Sequence, residues 1–109
     1  MSTQYRIVHY ERNGKDILQE WLDSLKDTRA KTAIARSIRR IKNGNFGVHR
    51  FCREAVWELV IDTGPGYRVY YSMIENVVVL LLCAGDKSSQ QKDINKAISY
   101  LQDFRKENQ

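Results

Sequence analysis

From Val77 to Cys83 every residue is apolar, and the run stops at Ala84-Gly85-Asp86-Lys87. It is far too short to cross a bilayer. A strand without polar alternation is covered on both faces, so this one is central and needs a layer on each side. Three further strands read upstream, Val48 to Cys52, Val56 to Ile61 and Tyr67 to Met73. Their short connections favour antiparallel neighbours. Gly64-Pro65-Gly66 lies between two of them, where it shapes a hairpin and not a phosphate cradle.

Before Gly47 the period is different. Tyr5 to Tyr10 alternates loosely and reads as a first strand, broken by Asn13-Gly14. Ile17, Leu18, Trp21, Leu22 and Leu25 recur at helical spacing. Asp27 suits the N-cap of a second helix, with an apolar stripe running from Ala30 to Ile41 and Gly44 just past its end. The tight connection makes the two helices an antiparallel hairpin. Ser88-Ser89-Gln90-Gln91 matches a capping box and opens a last helix carrying Ile94, Ala97, Ile98, Leu101 and Phe104. The expected fold class is α+β, a single domain over residues 1–109. Its antiparallel-rich sheet has about five strands, with an N-terminal helical hairpin and a C-terminal helix.

The net charge of +5 is unevenly spread. Between Lys26 and Arg53 nine Lys/Arg face one acid, Asp27, and the rest of the chain is net negative. A basic half on a near-neutral body suits a polyanion, and nucleic acid is the usual one. Arg29, Arg36 and Arg40 lie at helical spacing and are the candidate backbone contacts; the alternative is a solvated face. The two cysteines, Cys52 and Cys83, are read as reduced cytosolic thiols, since the polar start Met1-Ser2-Thr3-Gln4 is not a secretory leader. His9, His49, Cys52 and Cys83 have no metal-ligand spacing, so neither a metal nor a cofactor is expected.

What is left for chemistry is Arg68, Lys87 and their neighbours. An RNA backbone cleaves itself when a 2′-hydroxyl attacks the adjacent phosphate. Catalysis then needs alignment, charge neutralisation and proton movement. Arginine holds two phosphate oxygens in its planar fork, and lysine adds a second charge or a base. Tyr70, on the Arg68 face, is a candidate for stacking on a base, and Tyr67 and Tyr71 on the other face are alternatives. Asp93, in the first turn of the last helix, is placed to move a proton or simply to suit the helix dipole. Arg68 reads equally well as a strand-end surface charge paired with Asp62 or Glu58.

Four segments together resemble the addiction-module killer proteins, a branch of the RelE/ParE/HigB toxin superfamily. They are Trp21 to Asp27, Gly44-Asn45-Phe46-Gly47, Asp62 to Tyr71 and Leu80 to Ser88. The resemblance runs in order from about Tyr5 to Leu101. It implies a RelE-like fold and a small cytoplasmic toxin, held inactive by a cognate antitoxin, a small helix-turn-helix protein that also brings the pair to operator DNA. RelE-like members cleave mRNA on the ribosome; ParE-like members instead bind and poison DNA gyrase. Arg68 matches the phosphate-binding strand arginine of the RelE-like nucleases, and Lys87 falls near their second basic position. Asp93 falls about where some relatives carry a catalytic polar residue. The chain departs from the pattern at Glu58 and Val60, where such nucleases often carry basic residues. Of the three readings this leaves, the first is a metal-independent, ribosome-dependent endoribonuclease with no membrane partner. The second is a gyrase-binding inhibitor without chemistry. The third is a basic relic that only helps an antitoxin bind DNA.

Overall fold

A computed structural model describes residues 4–109; Met1 to Thr3, read above as part of a polar lead-in, lie outside the described residues. The elements are β1 (Arg6–His9), β2 (Glu11–Arg12), β3 (Lys15–Asp16), α1 (Ile17–Ser24), α2 (Thr28–Ile41), β4 (His49–Arg53), β5 (Val56–Ile61), β6 (Tyr67–Ile74) and β7 (Val78–Asp86). A 3-10 turn (Lys87–Ser89) then leads into the long α3 (Gln90–Glu107). The main sheet is five-stranded in the order β1-β7-β6-β5-β4. The strands from β4 to β7 pair antiparallel, and β1 joins β7 in parallel, with Arg6 opposite Val78. The architecture is α+β with a mixed sheet and three helices.

The apolar strand lies one place from the β1 edge and is covered on both sides, as its composition requires. Val79 and Leu81 join Leu59, Ile61, Val69 and Tyr71 under α1 and α2, where Leu18, Ala30, Ile34 and Ile41 fill the layer. Leu80 and Leu82 face the other way, with Tyr70 and Val56, under Ile94, Ala97, Ile98 and Leu101 of α3. A bulge shifts the β6–β7 register between Tyr70 and Tyr71, so Cys83 joins Leu82 on the α3 side and Ala84 returns to the other. Adding one residue to a strand reverses the parity of everything after it.

Local signals explain most boundaries. The Asp16 carboxylate caps α1 through the Gln19 N–H, and Asp27 caps α2 through Arg29 and Ala30. Gly44 follows α2 at φ 84°, and its N–H donates to the Ile41 carbonyl. Two expectations need correction. Asn13-Gly14 does not simply end a strand; it turns the two-stranded ribbon β2–β3, both residues taking the positive φ such a turn requires. The capping box before α3 does not form, because Asp86 takes the Ser88 N–H at 2.8 Å and caps the 3-10 turn instead. A carboxylate accepts such bonds more strongly than a hydroxyl.

Candidate functional site

Arg68, on β6, points toward the α3 face. Its Nε lies 3.5 Å from Oε2 of Glu58 on β5, and the two side chains are 8% and 5% exposed. The second Glu58 oxygen is 3.6 Å from Nε of Arg50 on the edge strand β4. From above, Gln90 in the first turn of α3 donates its amide to both Glu58 oxygens, at 2.9 and 3.2 Å. Glu58 thus sits between a buried arginine, an exposed arginine and an amide. A groove of about 270 Å³ opens beside it, lined by Arg50, Arg53, Gln90 and Gln91 among others.

Behind this carboxylate the site stays polar without being saturated. Arg68 Nη1 donates to the Tyr67 carbonyl at 3.2 Å, but Nε, though buried, has no aligned hydrogen-bond acceptor. The Tyr70 hydroxyl is likewise buried without a partner. Burial first, then the nearby Glu58 and Asp93 carboxylates, pushes its pKa up, so it remains a proton donor. Burial also raises Cys52, aided by Glu58, to about 11, and Cys83, aided by Asp93, to about 12. Neither is a thiolate near neutral pH, so neither is an activated nucleophile.

Arg68 and Lys87 do come together. Arg68 pairs with Gly85 across β6–β7, and the Lys87 N–H donates to the Gly66 carbonyl at 2.9 Å. A Cβ at Gly66 would lie 3.6 Å from Arg68 Nη1 and 3.9 Å from Lys87 Cβ, so both side chains flank that turn. Lys87 is exposed. Asp93 is buried over Gly85, where a Cβ would lie 1.9 Å from its Oδ2, and the Ser89 hydroxyl donates to that oxygen at 2.5 Å. It therefore stands one strand position from Arg68, engaged by Ser89.

Other expected residues lie elsewhere. Tyr70 is fully buried and offers no face to a base; Tyr67 and Tyr71, at 7% and 2% exposure, offer little more. The reason is the depth of β6, which is paired on both edges and covered on both faces. Arg29, Arg36 and Arg40 are exposed on α2, as their spacing implies, but α2 packs on the opposite face of the sheet from Arg68. The basic helix and the Arg68 cluster do not form one surface. Arg68 itself is no surface charge, and of the two partners considered it takes Glu58. Glu58, Gln90 and Arg50 were not among the candidate site residues. The available signal was Glu58 itself, a lone acid in Val56-Trp57-Glu58-Leu59-Val60-Ile61, on the sheet face that Arg68 shares.

Among the described residues no three His, Cys, Asp or Glu side chains form a group that would hold a metal ion, and no helix is long and apolar enough to cross a membrane. No family model matches the chain. Over 77 residues it is 49% identical to an uncharacterized protein of Haemophilus influenzae, a match covering 71% of this chain and 78% of that protein. The chain belongs to the same family as that Haemophilus influenzae protein.

Proposed function

We propose that this protein is a toxin of the RelE/ParE/HigB superfamily, a ribosome-dependent endoribonuclease that arrests translation by cutting mRNA. The reading includes a RelE-like fold in which α1 and α2, joined through residues 25–27, form the N-terminal helical hairpin. It also includes a cytoplasmic site of action and a cognate helix-turn-helix antitoxin that takes the pair to operator DNA. The observation that carries it is the approach of Arg68 Nη1 and Lys87 Cβ to Gly66, with the Glu58 carboxylate 3.5 Å from Arg68 Nε and lining a groove that Arg50 and Arg53 also line.

Those groups match the needs of 2′-hydroxyl chemistry. A scissile phosphate lodged between Lys87 and the outer edge of Arg68 has its developing charge neutralised by both. Glu58 accepts the 2′-hydroxyl proton as that oxygen attacks phosphorus, and the P–O5′ bond breaks to leave a 2′,3′-cyclic phosphate. The 5′-oxygen leaves with a proton from the Lys87 ammonium or from water. Asp93 has a positioning role, fixing Ser89 and the 3-10 turn that carries Lys87.

The test is induced expression with separate labelling of protein and DNA synthesis. Protein synthesis fails first, and a folded Arg68→Ala protein loses on the order of 10²–10³ in cleavage rate and with it the growth arrest. A folded Arg68→Ala protein that is fully toxic defeats the proposed site. One observation favours a second reading, the gyrase-binding one. Arg68 is already neutralised internally by Glu58, which a binding-only protein tolerates and a phosphate site must overcome. Early loss of DNA supercoiling with translation intact decides for it.

A further inference from the structure

On the other face of the sheet, away from Glu58 and Arg68, five rings form a continuous surface run. Tyr5 packs edge-on to Phe46 with centroids 5.3 Å apart, and Phe46 lies 5.8 Å from His49. His49 is 5.9 Å from Trp57, and Trp57 is 5.3 Å from Phe51. Buried Tyr71, 5.6 Å from Phe46, and Met73 close the floor of a pocket of about 200 Å³. Phe51 is 56% exposed and Val48, beside the run, 64%. A core has no use for this many half-covered rings, which would bury further apolar area if they merely packed.

The chemistry at the rim narrows the occupant. His49 Nδ1 donates to the Gly47 carbonyl at 3.0 Å, which holds the ring at the rim. Phe46 is shared with a second, smaller cavity that Arg40 lines, and the Tyr5 N–H is bonded to the Lys42 carbonyl at 2.9 Å. The cationic end of α2, where Arg39 and Arg40 fill the last turn, therefore abuts the pocket. A π-faced cavity beside cationic side chains fits one nucleotide unit: a base to stack and a phosphate to pair. The edge strand β4 connects the two faces. Arg50 pairs with Glu58 on the α3 side, while His49 and Phe51 turn to the aromatic side.

We infer that this pocket is a base-stacking subsite for single-stranded RNA. The strand passes over the β4 edge, from the Arg50–Arg53 groove to the Phe46–His49–Trp57 pocket. The inference rests on the RNA-directed reading above, and it gives Arg40 a task that its place on the opposite face from Arg68 otherwise denies it.

The probe is an unstructured octaribonucleotide added to the Arg68→Ala protein, which binds without cutting. Trp57 emission is followed in a Trp21→Phe background, so that the signal comes from the pocket alone. Quenching on saturation is expected. Phe46→Leu, which keeps apolar volume but removes the ring face, weakens binding about 10-fold, within the range measured for lost base stacking. Arg40→Gln weakens it less and lowers its salt dependence. Unchanged Trp57 emission at saturation overturns the inference, as does unaltered affinity in a folded Phe46→Leu protein. So does quenching by the antitoxin but not by RNA, which makes the pocket a protein-docking site. None of these results depends on growth arrest. A pocket that binds RNA in a protein that never blocks translation retains the inference and removes the nuclease reading; cleavage without pocket binding does the reverse.

Discussion

The two faces of the central sheet are built from the same strands by opposite rules. The face under α1 and α2 is dry. Its buried members are aliphatic or aromatic, and its polar atoms lie at the rim. The face under α3 buries Glu58, Arg68, Ser72 and Asp93, and leaves Arg68 Nε and the Tyr70 hydroxyl without partners. Folding alone favours the first arrangement, because taking an ion pair out of water costs as much as its attraction returns. Glu58 and Leu59 are chain neighbours that show the division at one step: one is committed to charge, the other to packing. The polar face is where the molecule buries charge at a cost in stability, and it is the face that the proposed chemistry would use.

The largest break in this contrast is Glu58→Ala. It leaves Arg68 buried without its counter-charge, and a urea melt should show a loss of about 3–5 kcal/mol. The double change Glu58→Leu with Arg68→Met should recover most of that, or all of it, while abolishing activity. If Glu58→Ala melts like the parent, the pair is not what organises this face. Leu59→Ala is the matching cut on the dry side and should cost about 2–5 kcal/mol, with no loss of chemistry per folded molecule. Activity that falls out of proportion to the folded fraction would show that the two faces are coupled.

A smaller contrast lies in pH. Hydrogen bonds from Ser88 hold the Asp86 carboxyl below its usual range. A depressed folded pKa adds stability above the unfolded pKa, and that stability disappears as pH falls through the folded one. Asp86→Asn should therefore lower stability slightly at neutral pH and leave it little changed once pH is below the folded pKa, flattening the acid limb of a stability profile. The smallest structural effect is expected from Arg36→Gln with Arg40→Gln, where stability should move by less than about 0.5 kcal/mol. The same pair should lower the salt slope of RNA binding by about one to two units. An identical slope marks the helix as a solvated face.

Much of the scaffold was legible because local signals agree with the global answer. Asp27 stands where a cap belongs, Gly44 where α2 must end, and an unbroken apolar run where a doubly covered strand must lie. The site was less legible. Alternation placed Arg68, Tyr70 and Ser72 on one face, but nothing in a strand pattern tells whether that face meets water or a helix. Tyr70, a candidate for stacking on a base, lies under α3. Leu101 and Phe104, read only as apolar positions of the last helix, take their place in the core. Leu101 is 1% exposed and Phe104 packs against the same cluster. Glu58 was visible as a departure from a family pattern, but its bond to Gln90 spans 32 residues and depends on where α3 lands. Such long-range pairings are set by topology, which short-range patterns do not encode.

The parallel strand β1 has a consequence for the order in which the molecule is assembled. The strands from β4 to β7 are linked in sequence by short turns and can zip one after another, each closing only a small loop. β1 has no such route, since Arg6 must wait for Val78, and contacts this remote form late. β1, which precedes the other strands of this sheet in the chain, is thus among the last to dock, and by the same reasoning among the first to peel away. Tyr5 lies immediately before it and forms one wall of the aromatic pocket. That wall is supplied only when assembly is nearly finished, so the pocket exists in full only on a molecule whose sheet is already closed.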